Sequence, residues 1–224
     1  MYVLASIAEV FLKDTQATSY ILVSALMVAS VLLAMLFKRW FYPEYEGSLG
    51  VKGFGSGMIQ ILPLAVFIIL CRVVKIAAAY ETYTGDFYAG FLAFRAGLNE
   101  EIYFRAIAVA LVLRAYRKPN NIWVPAVFTG VFFGCTHLLN ILSGDEMSNA
   151  LVNTVFASAF GVVFGVLFTM SGNIWPIVIL HFLYDYLAFT CTSSDAMPAS
   201  IVYLEVVAFV IIAIIFVAIL MKKR

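Results

Sequence analysis

The stretch "AGLNEEIYFRAIAVALVLRAY", residues 96–116, decides the fold and raises the question of function. Its apolar run is typical of a membrane helix, yet Glu100, Glu101 and Arg105 interrupt it. A charged side chain in hydrocarbon costs about 2.5–3.5 kcal/mol on insertion scales. Ionisable residues inside a membrane span are therefore candidates for function by default.

The composition of the whole chain is that of a polytopic membrane protein. Of its 224 residues, 64% are hydrophobic and only 12% are charged, whereas soluble proteins average about 45–50% apolar and about 25% charged residues. The net charge is +1 and no basic block is present. The lipid bilayer is therefore the expected partner, and nucleic acid is not.

Hydropathy predicts an all-α, polytopic transmembrane helical bundle of about seven spans, with six to eight possible, because a helix needs about 20 apolar residues to cross a bilayer. We divide this one membrane domain into N-terminal spans with an interfacial loop (1–88), a catalytic four-helix core (89–190) and a C-terminal span (191–224). The seven apolar segments are approximately 19–37, 58–80, 89–116, 122–142, 150–170, 174–190 and 200–221.

The connections predict the orientation through their lysine and arginine residues. Three connections carry these residues, in "KRW", "RAYRKPNN" and the C-terminal "KKR". The alternate connections contain acids but neither Lys nor Arg, in "ETYTGD", "SGDEMSN" and "TCTSSDAMP". This alternation predicts a cytoplasmic C-terminus, and the compact size and short loops favour a bacterial cytoplasmic membrane.

Helical spacing divides the charges of the third segment. Glu101 and Arg105 are four residues apart, so they lie on one helix face and can form an ion pair. Glu100 points about 100° away and cannot share that pair equally. We therefore predict a structural pair and a separate carboxylate that is free for other work. An ion pair that only aligns neighbouring helices is the alternative.

Both histidines of the chain also fall inside apolar segments. His137 shares its helix face with Phe133 and Asn140, and His181 shares its face with Asp185 four residues later. Each could simply hydrogen-bond a neighbouring helix. Together with the carboxylates of the third segment, however, they form a set that chance rarely assembles.

This residue set favours hydrolysis of an amide or ester. A Glu and a His can jointly orient and deprotonate a water molecule, while other donors stabilise the oxyanion of a tetrahedral intermediate. A zinc ion is the competing hypothesis, because His137, His181 and Glu100 would resemble a His₂Glu catalytic set. The HExxH spacing is absent, so the sequence contains no specific metal signal.

The chain also resembles a known family. "EEIYFR" fits EExxxR, "FFGCTH" contains FxxxH, and "HFLYD" fits HxxxN or HxxxD. In this order, on separate apolar segments, the three motifs resemble the CPBP family of intramembrane proteases. That is the CAAX-protease and bacteriocin-processing group, which includes the eukaryotic type II CAAX prenyl endopeptidase.

The resemblance implies a role for each motif residue. The first-motif Glu100 would be the principal base, His137 would help to activate the water, and His181 with Asp185 would shape the oxyanion site. Glu101 and Arg105 would orient and support these groups.

Prenyl endopeptidases have Asn where this chain has Asp185, so Asp185 could instead orient His181. Asn140 could then supply the missing amide donor, beside Phe133 of the second motif. Family members are described both as metalloproteases and as glutamate proteases. We favour the second, with no cofactor required.

The expected function is an intramembrane endopeptidase that acts on a membrane-associated or lipid-anchored peptide or protein. Two alternatives remain. Carboxylates and histidines in spans are equally typical of a proton-coupled transporter, although no inverted repeat is evident. A non-catalytic immunity or scaffold membrane protein is the other.

Overall fold

The computed structural model describes residues 16–41, 49–116 and 123–222. Residues 1–15, 42–48, 117–122 and 223–224 lie outside the described residues. The helices are α1 (Gln16–Phe41), α2 (Phe54–Ala77), α3 (Phe87–Glu101), α4 (Ala110–Tyr116), α5 (Trp123–Thr136), α6 (Met147–Ser171), α7 (Trp175–Thr190) and α8 (Ala199–Lys222).

The structure confirms the predicted fold class, an all-α polytopic bundle. Each of the seven predicted segments coincides with helical structure. Among the described residues, five helices are long and apolar enough to cross a membrane, and α7 is a shorter apolar helix. The five are Tyr20–Trp40, Phe54–Ala77, Trp123–Ser143, Met147–Ser171 and Ala199–Leu220.

Two helices change their hydrogen-bonding geometry at the residues predicted to be functional. The π-helix Ile102–Val109 joins α3 to α4, and the 3-10 helix His137–Ser143 continues α5. A π-helix has i→i+5 hydrogen bonds and is frequently found at functional sites. Hydropathy alone does not reveal either change, because both segments remain apolar.

A small antiparallel sheet, which the sequence did not predict, joins two connections at one end of the bundle. Strand β1 (Glu81–Tyr83) pairs with β2 (Cys191–Ser193), with Thr82 opposite Thr192. This end holds the start of α3 and the end of α7, and it corresponds to the predicted outer side. The sheet therefore ties together the outer ends of the two helices that carry the first and third motifs.

Buried ion pairs hold β1 against α2 and α8. Lys75 Nζ lies 2.9 Å from Glu81 and 2.8 Å from Glu205, and Arg72 lies 2.6 Å from Glu81. The two basic residues that interrupt the second apolar segment thus face partners inside the protein.

Glycines bring α5 and α6 into close contact, as the small-residue spacing of both segments predicts. A Cβ on Gly130 would lie 2.7 Å from the carbonyl carbon of Gly161, and one on Gly165 would lie 2.7 Å from Ala126 Cα. Side chains larger than hydrogen cannot fit there without moving the backbones apart. The helix that leads to His137 is thereby packed tightly on α6.

The turn before α7 fixes the position at which that helix begins. Gly172 ends α6 with a left-handed backbone, φ 65°, which glycine adopts without steric cost. The Asn173 side chain accepts a hydrogen bond from Trp175 N at 2.9 Å and donates to the carbonyls of Gly50 and Lys52 at 2.7 and 2.9 Å. The start of α7 is therefore anchored to the loop before α2.

Candidate active site

The candidate site lies where α3 meets α7. Gly97 allows the two helices to approach closely, since a Cβ there would lie 3.1 Å from Phe182 N and 3.2 Å from Val178 O. One turn further along α3, Glu101 then reaches His181 across the helix contact. The residues of the first and third motifs, 80 positions apart in sequence, become direct neighbours.

Glu101 is the centre of a buried charge cluster. Its Oε1 lies 2.9 Å from Arg105 Nη1 and 2.7 Å from His181 Nδ1. The side chains of Glu101 and Arg105 are fully buried. The predicted pair of these two residues is confirmed, and it extends to a histidine that spacing alone did not connect to it.

Glu101 determines which nitrogen of His181 faces the other carboxylates. Because Nδ1 is occupied by Glu101, Nε2 points to Glu100 and Asp185, at 3.7 and 3.5 Å. The sequence suggested that Asp185 could orient this imidazole, but the shorter contact, on the opposite nitrogen, is made by Glu101. Asp185 instead shares the Nε2 side with Glu100.

Glu100 is the more accessible of the two adjacent glutamates. Its side chain is 22% exposed, whereas that of its neighbour Glu101 is not exposed at all. Adjacent helix positions differ by about 100° in direction, so one carboxylate is turned into the protein and the other remains partly exposed. The division between a structural and a free carboxylate, predicted from spacing, agrees with this burial.

Arg105 connects the charge cluster to α6 and to the second motif. Its Nη2 donates to the carbonyl of Gly161 at 3.1 Å. Its guanidinium lies 4.9 Å from the ring centroid of Phe133 and 5.4 Å from that of Phe164. A buried guanidinium over aromatic faces is stabilised by cation–π attraction, so Phe133 supports Arg105 rather than contacting lipid.

His137 lies on the other side of Phe133 from this cluster. Its Nδ1 donates to the carbonyl of Phe133 at 3.1 Å, and the two rings meet edge to face at 4.9 Å. Phe133 also meets the ring of His181, at 6.0 Å. Through the ring of Phe133, which contacts both histidines and Arg105, the three motifs meet in one region.

Asn140 is placed by the 3-10 helix that begins at His137. Residues three apart are eclipsed in this geometry, so Asn140 follows His137 on the same side, and its side chain is partly exposed. Asn140 thus lies one turn beyond the histidine, and its role as the oxyanion donor stays a prediction.

Sequence reasoning missed two polar residues beside the site, both on α3. Arg95 interacts electrostatically with Glu100. Asn99 is fully buried, and its side-chain amide has no hydrogen-bond partner among the described residues. The rule that ionisable residues in a span are candidates would have included Arg95.

The zinc hypothesis finds no assembled ligand set. Within the described ranges, no group of three or more His, Cys, Asp or Glu side chains is arranged to hold a metal ion. The zinc hypothesis for His137, His181 and Glu100 stays a prediction.

Comparison with known proteins finds one similarity to a family. Residues 83–187 match the family described as "Type II CAAX prenyl endopeptidase Rce1-like". This range runs from β1 to the end of the third motif and contains all three motifs. Searches of curated proteins and of solved structures found no match. Residues 83–187 of this integral membrane protein, slightly less than half of the chain, are thus similar to the Rce1-like type II CAAX prenyl endopeptidases.

Proposed function

We propose that this protein is an intramembrane endopeptidase that hydrolyses a peptide bond with a water molecule activated by Glu100. The observation that carries the proposal is the placement of His181 between two kinds of carboxylate. Glu101 holds Nδ1 at 2.7 Å, while the partly exposed Glu100 and Asp185 face Nε2. An acid–base group beside an oriented imidazole is the arrangement that water activation requires.

The proposed reaction moves one proton through Glu100. This carboxylate accepts a proton from water while the water oxygen forms a bond to the scissile carbonyl carbon. His181, oriented by Glu101, and the Asn140 amide stabilise the negative oxygen of the tetrahedral intermediate. Glu100 then delivers its proton to the leaving nitrogen as the C–N bond breaks. The reaction consumes one water molecule and needs no cofactor.

His137 and Asp185 complete the proposed site. His137 would orient the water from the side of Phe133, and Asp185 would share the Nε2 side of His181 with Glu100. The substrate would be a membrane-associated or lipid-anchored peptide or protein whose cleaved segment is unwound. The site would act in a bacterial cytoplasmic membrane with the C-terminus in the cytoplasm.

A cleavage assay with matched isosteric variants tests the proposal. Purified protein in liposomes is given a quenched fluorescent peptide with a C-terminal CAAX sequence, in farnesylated and unmodified forms. Glu100→Gln should lower the rate by about 10²–10⁴-fold, the usual contribution of a general base. Glu146→Gln, which changes an exposed acid outside the site, should cleave like the natural protein. Full activity of Glu100→Gln would refute the mechanism.

A chelator separates the glutamate mechanism from the metal mechanism. The rate should be unchanged after treatment with 1,10-phenanthroline and dialysis. A loss of activity that added Zn²⁺ restores would replace the glutamate mechanism with a metal-dependent one.

A further inference from the structure

An aromatic groove lies beside the candidate site, at the predicted outer end of the bundle. Its volume is about 670 Å³, within the range of about 300–1,000 Å³ that is usual for ligand pockets. We call it the aromatic groove because six aromatic side chains line it: Tyr83, Phe87, Phe91, Phe94, Phe182 and Tyr186.

The rings form a connected wall. Phe182 meets Phe94 edge to face at 6.2 Å and stacks with Tyr186 at 5.7 Å. The hydroxyl of Tyr186 is in turn 2.7 Å from that of Tyr83. The groove therefore offers both ring faces and a polar rim made of two phenol groups.

Among the described residues, Asp86 provides the negative charge of the groove lining, which contains neither lysine nor arginine. The hydrogen bond to Tyr186 raises the pKa of the Tyr83 hydroxyl, so that phenol stays neutral at physiological pH. The three connections at this end contain the exposed acids Asp145, Glu146 and Asp195 and likewise no Lys or Arg. A cationic partner is therefore complementary to the groove and to its surroundings.

The groove and the candidate site use different faces of the same two helices. Phe182 and Tyr186 follow His181 and Asp185 by one position each, so they point about 100° away from them around α7. On α3, Phe94 lies about 9 Å along the axis from Glu100, at about 1.5 Å per residue. The close contact at Gly97 lies between the two regions.

We propose that the aromatic groove binds a lysine or arginine side chain of an extended basic peptide segment. The aliphatic stem would lie along the phenyl walls, and the cation would sit over a ring face near Asp86. A lipid acyl chain would fill the same walls but would gain nothing from the carboxylate. The proposal that the groove docks the substrate depends on the proposed function. The proposal that the groove binds a basic peptide does not.

A binding experiment without catalysis tests this assignment. The full chain carrying Glu100→Gln is placed in phosphatidylcholine nanodiscs and titrated with a fluorescent, apolar-anchored peptide that contains two lysines. A second peptide has norleucine, which has the same stem without the charge, in both positions. We expect the lysine peptide to bind about tenfold more tightly, with an affinity that falls as salt is added.

Matched variants locate the site. Asp86→Asn should weaken binding of the lysine peptide by about threefold. Asp86 caps α3, because its carboxylate accepts hydrogen bonds from the backbone N–H groups of Tyr88 and Ala89. Asparagine also caps helix N-termini, so α3 should remain folded. Phe91→Leu removes one aromatic ring of the lining while keeping an apolar side chain, and it should weaken binding by a similar factor. Asp195→Asn removes a charge from the same end outside the groove lining and should change the affinity less than twofold.

Three results would overturn the proposal. Equal binding of the norleucine peptide would make the groove an apolar or lipid site. An equal loss in Asp195→Asn would indicate general surface charge, and unchanged binding by Phe91→Leu would exclude the aromatic wall. Binding is measured without cleavage, so a failure of the proposed function appears separately, as peptide cleavage that persists in Glu100→Gln.

Discussion

Replacing Arg105 by methionine would remove the cation from a cluster that contains no water-exposed member. The guanidinium is fully buried and contacts Glu101 at 2.9 Å and the Gly161 carbonyl at 3.1 Å. After Arg105→Met, Glu101 would keep only His181 as a partner among the described residues, and the Gly161 carbonyl would lose its side-chain donor. Breaking a buried pair by removing one partner costs about 3–5 kcal/mol.

The reciprocal variant, Glu101→Met, should cost a similar amount, because it leaves the guanidinium buried without its carboxylate. The double variant removes both charges together and replaces them with apolar side chains of similar length. Since the two residues belong to one network, the double variant should be destabilised by about 1–3 kcal/mol less than the sum of the single variants.

The measurement is the unfolding free energy of the purified protein in mixed micelles, titrated with a denaturing detergent and followed by circular dichroism. Arg39→Met is the matched control, because Arg39 is exposed near the end of α1, and its effect should stay within about 0.5 kcal/mol. The reasoning would be refuted if Arg105→Met were as stable as the natural protein, or if the two effects were strictly additive.

Three further predictions concern the scaffold and use the same unfolding titration except where stated. Gly130→Leu should lower the unfolding free energy by about 1–3 kcal/mol, because its Cβ would lie 2.7 Å from the Gly161 carbonyl carbon. The control Gly55→Ala, whose Cβ would meet open space, should not lower it, and equal effects of the two variants would contradict the packing argument. Lys75→Met should lower the unfolding free energy by about 3 kcal/mol, because Glu81 and Glu205 would lose this cation. An unchanged unfolding midpoint would show that the ion-pair network does not stabilise the fold. Asn173→Ala should lower the unfolding free energy by about 1–3 kcal/mol and make residues 49–53 sensitive to limited proteolysis. If these residues stayed protected from the protease, other contacts would hold the loop.

Much of the fold could be predicted because the bilayer imposes one requirement on every span. Each crossing needs about 20 apolar residues, and the seven apolar segments all proved to be helical. The sheet was missed because strands of three residues, such as Glu81–Tyr83, are too short to show an alternating pattern. The π-helix was missed because it changes hydrogen bonding without changing hydropathy.

Only part of the site could be predicted, because spacing describes neighbours within one helix. The contact of Glu101 with Arg105 follows from their four-residue separation. The contact of Glu101 with His181 depends on how closely α3 and α7 approach, which is determined by Gly97. The aromatic groove was equally hidden, since Tyr83 and Tyr186 are 103 positions apart in the sequence.

The glycine-mediated contact between α5 and α6 has a mechanical consequence. Two helices in backbone contact cannot slide independently, so His137 must travel with α6, whereas His181 is tied through Glu101 to α3. The proposed site is thus distributed over two helix pairs. They meet where Arg105 contacts Phe133, Phe164 and the Gly161 carbonyl, and where the His181 ring packs against Phe160 and Phe164. A substrate that moved the two pairs apart would break these contacts and withdraw His137, while Glu101 and His181 stayed in register. Closure of the pairs around a bound peptide would then bring together the groups proposed to activate water.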